Sequence, residues 1–398
     1  MPFLLLILFC FSAGAAHASE DNELGPPPTN PLDVALLPLL NFTTDRGLGF
    51  GGFGAGYWRG GGDEKTPYAA MLALQLWFTT GGYQYHKLML DLPRVGGSDV
   101  RLDLLGGYEA WEGAWYFGSG AQSPRRADGQ TDGNYHRSRV DGALAVSNVR
   151  VPVAGQVVAF GGVTVRHVVV SAYSGSLLAT EKPMGIDGGL LSQASVGALI
   201  DTRDQEPSPQ RGLFSELSIR GAARRWVSDF GYLGLNFTHR QWLSLLPRGE
   251  LVWALRGVID LSTEGRPFFQ KHILGGSQYV ELGGNSSLRG LLVGRYRGDV
   301  VFLGTSELRW RVIDAVLYGT PLSLTLNGFF EAARVSDWGD IASGQPFHPT
   351  LGLGPRLTWN RLFVVRADFG AGIDQVVRNG VTQRETTTGL YILFGQVF

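Results

Sequence analysis

Apolar residues recur at every second position in segment after segment of this 398-residue chain. That period belongs to a strand with one face against an apolar medium. In LVWALRGVIDL, Leu251, Trp253, Leu255, Gly257, Ile259 and Leu261 share one face, and Arg256 and Asp260 lie on the other. In VVFLGTSELRWRV, Phe302, Leu308, Trp310 and Val312 oppose Glu307, Arg309 and Arg311. LGLGPRLTW sets Leu351, Leu353, Leu357 and Trp359 against Arg356 and Thr358. A soluble β-sandwich alternates too. These segments, however, are often ten residues or longer, and their polar face carries charges that a sandwich core would not tolerate. Both features predict tilted strands crossing a bilayer around a wet lumen.

The alternation marks strands over 36–44, 47–60, 66–79, 82–93, 99–110, 133–146, 155–170 and 190–203. It continues over 211–224, 228–244, 249–264, 297–314, 321–336, 348–360, 361–373 and 385–398. The expected fold is therefore all-β: an antiparallel transmembrane β-barrel of about sixteen strands, an even number that brings both barrel ends to one side. Short turns such as Thr80-Gly81-Gly82 contrast with long polar loops at 118–132 and 265–296, as at the two rims of an outer-membrane barrel.

Ahead of the barrel, MPFLLLILFCFSAGAAHASE has an apolar core from Phe3 to Phe11 and an A-x-A pattern at Ala16-His17-Ala18. It is expected to be a signal peptide over 1–18, cleaved after Ala18. Phe9 before Cys10 is too bulky for lipoprotein processing. Cys10 is the only cysteine, so an exported chain would carry no disulfide framework. The polar, Pro-rich stretch 19–35 is expected to be a periplasmic leader, too short to be a domain, and 36–398 a single barrel domain. No segment after the signal has the roughly eighteen uninterrupted apolar residues of a membrane helix.

Several chemistries find no support. A net charge of −1 gives no global attraction to nucleic acid. The seven histidines are scattered without an H-E-x-x-H spacing, so neither a metal site nor a cofactor is expected. No G-x-S-x-G elbow occurs, and the chain is not expected to be an enzyme. Gly49, Gly51 and Gly54 do fall at G-x-G-x-x-G. A dinucleotide site needs those glycines to end a strand and open a helix; Tyr57, Trp58 and RGGGDEKTP follow instead. The glycines are expected to let a barrel strand bend.

The stretch LGGNSSLRGLLVGRYRGD (282–299) resembles the inward-folded loop of the BamA/TamA outer-membrane barrel family, with its [VI]-R-G-[FY] tetrad. Here the tetrad is Leu288-Arg289-Gly290-Leu291, with Leu in place of the terminal aromatic. GTSELRW is similar to the family's G-x-x-E-x-R strand through Gly304, Glu307 and Arg309. FFEAARV resembles its F-x-D-x-G strand, with Phe329 kept, Glu331 for Asp and Ala333 for Gly. LIDTRDQEPSPQRGLF resembles a family hairpin through Asp201, Arg203, Asp204, Pro209 or Pro207, and Gly212. PLLNFTTDRGLGFGG is similar to the opening hairpin. The terminal GLYILFGQVF resembles the insertion signal of outer-membrane proteins through Phe394 and Phe398, with Gln396 departing from it on the expected shared face.

The resemblance implies that loop 265–296 tucks into the lumen and that Arg289 meets Glu307 and Glu331 on the inner wall. It implies residence in the Gram-negative outer membrane, among its lipid, and a role in inserting or translocating client proteins. Family members receive clients on periplasmic POTRA modules. This sequence has no room for one, so a separate periplasmic partner is expected to supply it. A plugged solute channel and a structural barrel are the alternatives.

Overall fold

The computed structural model describes residues 32–59, 68–120, 123–127, 133–205, 208–225, 227–343, 346–359 and 363–398. The expected signal peptide and residues 19–31 of the leader lie outside them. The first strand begins at Leu32, so 32–35 belong to the barrel wall rather than to the leader.

Sixteen strands build the wall, each antiparallel to the next. The first half comprises β1 (Leu32–Thr43), β2 (Gly47–Arg59), β3 (Tyr68–Thr79), β4 (Tyr83–Leu92), β5 (Arg101–Trp115), β7 (Arg137–Ala154), β8 (Val157–Ala172) and β9 (Gly189–Asp201). The second comprises β10 (Gly212–Ala222), β11 (Tyr232–Ser244), β12 (Leu251–Ser262), β15 (Val300–Leu317), β16 (Thr320–Ser336), β17 (His348–Trp359), β18 (Phe363–Arg378) and β19 (Val381–Phe394). β6 (Arg125–Arg126) is a strap that pairs in parallel with Val376 and Val377 of β18, and β13 (Ile273–Leu274) and β14 (Val280–Glu281) form a small hairpin inside loop 263–299. Helix is confined to α1 (Leu177–Glu181) and short 3-10 turns, and no helix among the described residues is long and apolar enough to cross a membrane. The antiparallel barrel read from the alternation is what forms.

Faces follow the period-two pattern. On β10 and β11, Leu217, Ile219, Leu233 and Phe237 are exposed outward, while Glu216, Arg220, Asn236 and Arg240 are buried inward. Such an outward band would be a large apolar patch in water, and in hydrocarbon it is the stable arrangement. Three expectations need correction. A bulge between Arg311 and Ile313 of β15 breaks the alternation, so Ile313 rather than Val312 takes the outer face. β5 and β7 run on to Trp115 and Ala154, past the expected 110 and 146. β19 spans 381–394 rather than 385–398, because Gly395 at φ +84° turns the chain away.

The glycine-rich stretch lies in β2, with Gly49, Gly51 and Gly54 paired to Asn41, Leu39 and Leu36 of β1. A Cβ on Gly51 would lie 2.0 Å from the Leu76 carbonyl oxygen. These glycines let β2 approach β3 closely, and no helix follows them.

The barrel closes at a narrow seam. β1 and β19 share two residue pairs, Phe42 with Ile392 and Thr43 with Tyr391, against seventeen between β15 and β16. The Thr44 amide adds a bond to the Leu390 carbonyl at 3.1 Å. Carried further, this register would set Leu40 against Phe394, where β19 ends. Residues 32–39 therefore have no wall strand on that side among the described residues. At the other rim β1 has already turned into β2, and 381–389 of β19 are left likewise.

Candidate functional site

The 37-residue connection 263–299 leaves β12, enters the lumen and returns to β15. Its tip is the tetrad Leu288-Arg289-Gly290-Leu291, and all four residues are buried. Leu288 (φ +43°) and Gly290 (φ +110°) both take left-handed conformations that fold the tip tightly. Gly290 lies against β18: a Cβ there would come within 2.8 Å of Gly370 and Ala371 backbone atoms. Conversely, a Cβ on Gly370 would meet the Arg289 carbonyl oxygen at 2.3 Å. Glycine is thus required on both sides of one backbone-to-backbone contact. The Gly290 amide donates to Tyr391 Oη at 3.1 Å, and Thr387 Oγ1 donates to the Gly290 carbonyl at 2.8 Å.

This packing delivers the Arg289 guanidinium to the inner wall. Nη2 donates to Glu307 Oε1 at 2.6 Å, and Nη1 donates to Asp368 Oδ2 at 2.9 Å. Nε and Nη2 each reach Glu331 at 3.3 Å, and the Arg289 backbone amide donates to Glu331 Oε2 at 2.7 Å. The guanidinium carbon sits 3.4 Å from the Phe329 ring centroid, a cation–π contact. Burial disfavours the Arg289 charge, but Glu331, Glu307 and Asp368 outweigh it and hold the group above the ordinary arginine range.

Glu307, Glu331 and Arg309 all point into the lumen, as expected. Arg309 does not contact Arg289; its Nε and Nη2 fork onto Glu307 Oε2 at 2.9 and 2.8 Å. The sequence reading missed Asp368, along with Arg366 (2.6 Å from Asp368) and Arg356 (3.3 Å from Glu307). The signal was present: in FVVRADFGAG the alternation sets Arg366, Asp368 and Gly370 on one face. It was not used because 361–373 carries no motif of the family.

The tip is one of several fastenings of the loop. Asp260 of β12 binds Arg220, Arg266 and the Gly275 amide. Glu281 pairs with Arg46 at 2.7 Å, and the Val293 amide donates to Asp45 at 2.9 Å. Arg295 bonds Asp374 at 2.6 Å and the Ser123 carbonyl at 2.8 Å. His272 Nδ1 accepts from Arg297 Nη1 at 2.6 Å, which requires a neutral ring. Burial and the positive field of Arg297 hold His272 well below its ordinary value. Burial raises the Asp45 carboxyl to about 6 despite the Val293 bond.

Of the two terminal aromatics, Phe394 faces outward beside Phe363, with ring centroids 5.0 Å apart. Phe398 does not share that face. It turns inward and packs in a buried cluster with Trp242, Phe214 and Val252, and Arg309 Nη2 donates to its carbonyl at 3.2 Å. The hairpin 201–212 is built as its residue pattern implies. Arg203 binds Asp201, Asp204 accepts from the Gln210 amide at 3.0 Å, and Gly212 takes φ +101°. Among the described residues no group of His, Cys, Asp and Glu could hold a metal ion.

A closed sixteen-stranded wall, apolar outside and charged inside, with an arginine loop bound across its lumen, defines a barrel of the outer-membrane type. The chain is similar in fold to BamA from Haemophilus ducreyi lacking POTRA domains 1–3, at a TM-score of 0.59 and 14% identity, over 92% of this chain and 70% of that one. It is also similar to CdiB from Escherichia coli, at a TM-score of 0.55 and 12% identity, over 92% of this chain and 63% of the other. CdiB from Acinetobacter baumannii matches at a TM-score of 0.50 and 13% identity, over 91% of this chain and 65% of its own. No family model and no curated protein matches the sequence. The fold is that of a BamA-type barrel, as the motifs of 201–333 imply.

Proposed function

We propose that this chain works in the outer membrane, where it receives other polypeptides at the β1–β19 seam and helps to insert or translocate them. The observation that carries the reading is the stagger of that seam. Backbone groups left unpaired in hydrocarbon cost several kcal/mol each, and a strand edge that presents them is a template for another strand. Residues 32–39 present such an edge, with Leu36 78% exposed on the outer face. A client strand laid along it would satisfy those groups by β-augmentation. Pro38 offers no N–H within this stretch, which limits indiscriminate pairing. A separate periplasmic protein with POTRA-type modules would deliver clients, and the role requires no catalysis by the barrel.

The alternative, a solute channel plugged by loop 263–299, requires that loop to leave the lumen. Its ties through Arg289, Arg295, Glu281 and Asp260 favour work at the wall over passage through the centre. Phe42→Cys with Ile392→Cys tests the seam, since these positions pair directly and the sequence has only one cysteine, Cys10. In cells depleted of the native chain, the oxidised variant is expected to fail in outer-membrane protein assembly and to recover on reduction. An undiminished locked barrel, or no assembly defect on depletion, would overturn the proposal. Conductance that rises on deletion of 265–296 would favour the channel.

A further inference from the structure

The arginine network has an unbalanced charge, and a cavity adjoins it. Five guanidinium groups, Arg256, Arg289, Arg309, Arg356 and Arg366, share three carboxylates, Glu307, Glu331 and Asp368. Arg309 is buried, and its Nη1 has no hydrogen-bond partner. It lines a cavity of about 330 Å³ at the rim where β19 ends, together with Arg248, Arg311, Thr325, Thr358 and Gln396. Further hydroxyl and amide groups complete the lining, and no carboxylate occurs among its described residues. Arg311 donates to the Arg248 carbonyl at 2.8 Å, and its Nε stands 3.2 Å from Asp314 at the neighbouring hairpin. Gln396 closes one side: its Nε2 donates to Ser208 Oγ at 3.0 Å, and its Oε1 accepts from Arg356.

We infer that this cavity binds a small hydrophilic solute carrying one oxyanion, a phosphate or a carboxylate. Buried positive charge in excess of its carboxylates is stabilised by an anion. Guanidinium groups recognise both oxyanions through charge-assisted, forked hydrogen bonds. The volume lies at the small end of the range for ligand pockets, and the hydroxyl and amide lining suits a polyhydroxyl body rather than an acyl chain. The site opens at the rim that carries both ends of the wall, away from the loop tip and the seam, so it stands apart from the proposed function.

Titration calorimetry on the folded full chain in detergent, with glucose 6-phosphate, glucuronate and glucose as probes, tests the assignment. At least one of the two anions is expected to saturate, with glucose silent, and the tighter one names the preferred headgroup. Arg248→Gln with Arg311→Gln removes two cations outside the centre of the network. This variant should keep the heat-dependent gel shift of a folded barrel and bind the anion about tenfold more weakly, as expected when one charge-assisted contact is lost. Equal binding of glucose, no saturable anion binding, or unchanged affinity in the folded double variant would overturn the inference.

Discussion

Replacing Arg289 with Met keeps most of the volume at the loop tip and removes its charge. The three carboxylates around it do not lose equally. Glu307 retains the Arg309 fork and Arg356 at 3.3 Å, and Asp368 retains Arg366 at 2.6 Å. Glu331 is left with Arg256 at 3.7 Å, the Thr305 and Thr350 hydroxyls at 3.4 and 3.5 Å, and the Arg289 backbone amide. Breaking a buried ion pair from one side costs about 3–5 kcal/mol. Because two of the three acids keep a close guanidinium, the lower end applies, about 3 kcal/mol. Most of it comes from Glu331 becoming an underpaired buried charge.

That uneven distribution is measurable by double-mutant cycles on equilibrium unfolding of the barrel in lipid or detergent. Arg289→Met with Glu331→Gln should be less destabilised than the sum of the single variants, by about 2 kcal/mol. The cycle of Arg289→Met with Glu307→Gln should give the smaller coupling, because the Glu307 charge also serves Arg309 and Arg356. Equal couplings, or additivity within about 0.5 kcal/mol for Glu331, would refute the claim that Arg289 chiefly neutralises Glu331. It would also refute the ranking drawn from these distances.

Gly290→Ala should loosen the loop without touching any charge. Its Cβ would lie 2.8 Å from the backbone of β18 at a left-handed φ, a strain of about 1–3 kcal/mol, read as faster protease cleavage within 265–296. Acid should act on the loop with opposite signs at two positions. His272 is held neutral below its ordinary pKa of 6.5, so the unfolded loop binds the extra proton. Stability is lost as pH falls below about 6.5, at up to about 1.4 kcal/mol per pH unit. The Asp45 pKa is raised from 3.8 to about 6, so the folded form binds the proton and this contact gains as pH falls from about 6 to 4. Loop protection measured by hydrogen exchange against pH should lose its acid-side decline in His272→Asn and its acid-side gain in Asp45→Asn.

The barrel was legible because its physics is local. Alternation over ten or more residues is enforced by hydrocarbon outside and charge inside, so Leu251 to Leu261 and Leu351 to Trp359 identify their faces without reference to any neighbour. The errors fall where one residue changes the phase. The bulge at Arg311–Ile313 and the turn at Gly395 each shift the alternation, and neither Val312 nor Gln396 signals this in its own side chain. Arg289, Glu307 and Glu331 were readable because motif and alternation agreed on them. Asp368 completes the same site but comes from a strand 79 positions away, and only closure of the sheet brings it there.

The same reasoning explains why the arginine network and the seam belong to one design. The loop tip contacts β18 at Gly370 and β19 at Tyr391 and Thr387, while Arg289 binds β15, β16 and β18. Four consecutive wall strands that end at the open edge, β16 to β19, thus include three that are tied to one rigid tip. β1 receives only the Phe42 and Thr43 pairs and the Thr44 bonds. If the wall yields anywhere, the fastened side stays and β1 moves with β2. A client would then meet a mobile, glycine-rich hairpin on one side and a braced strand on the other.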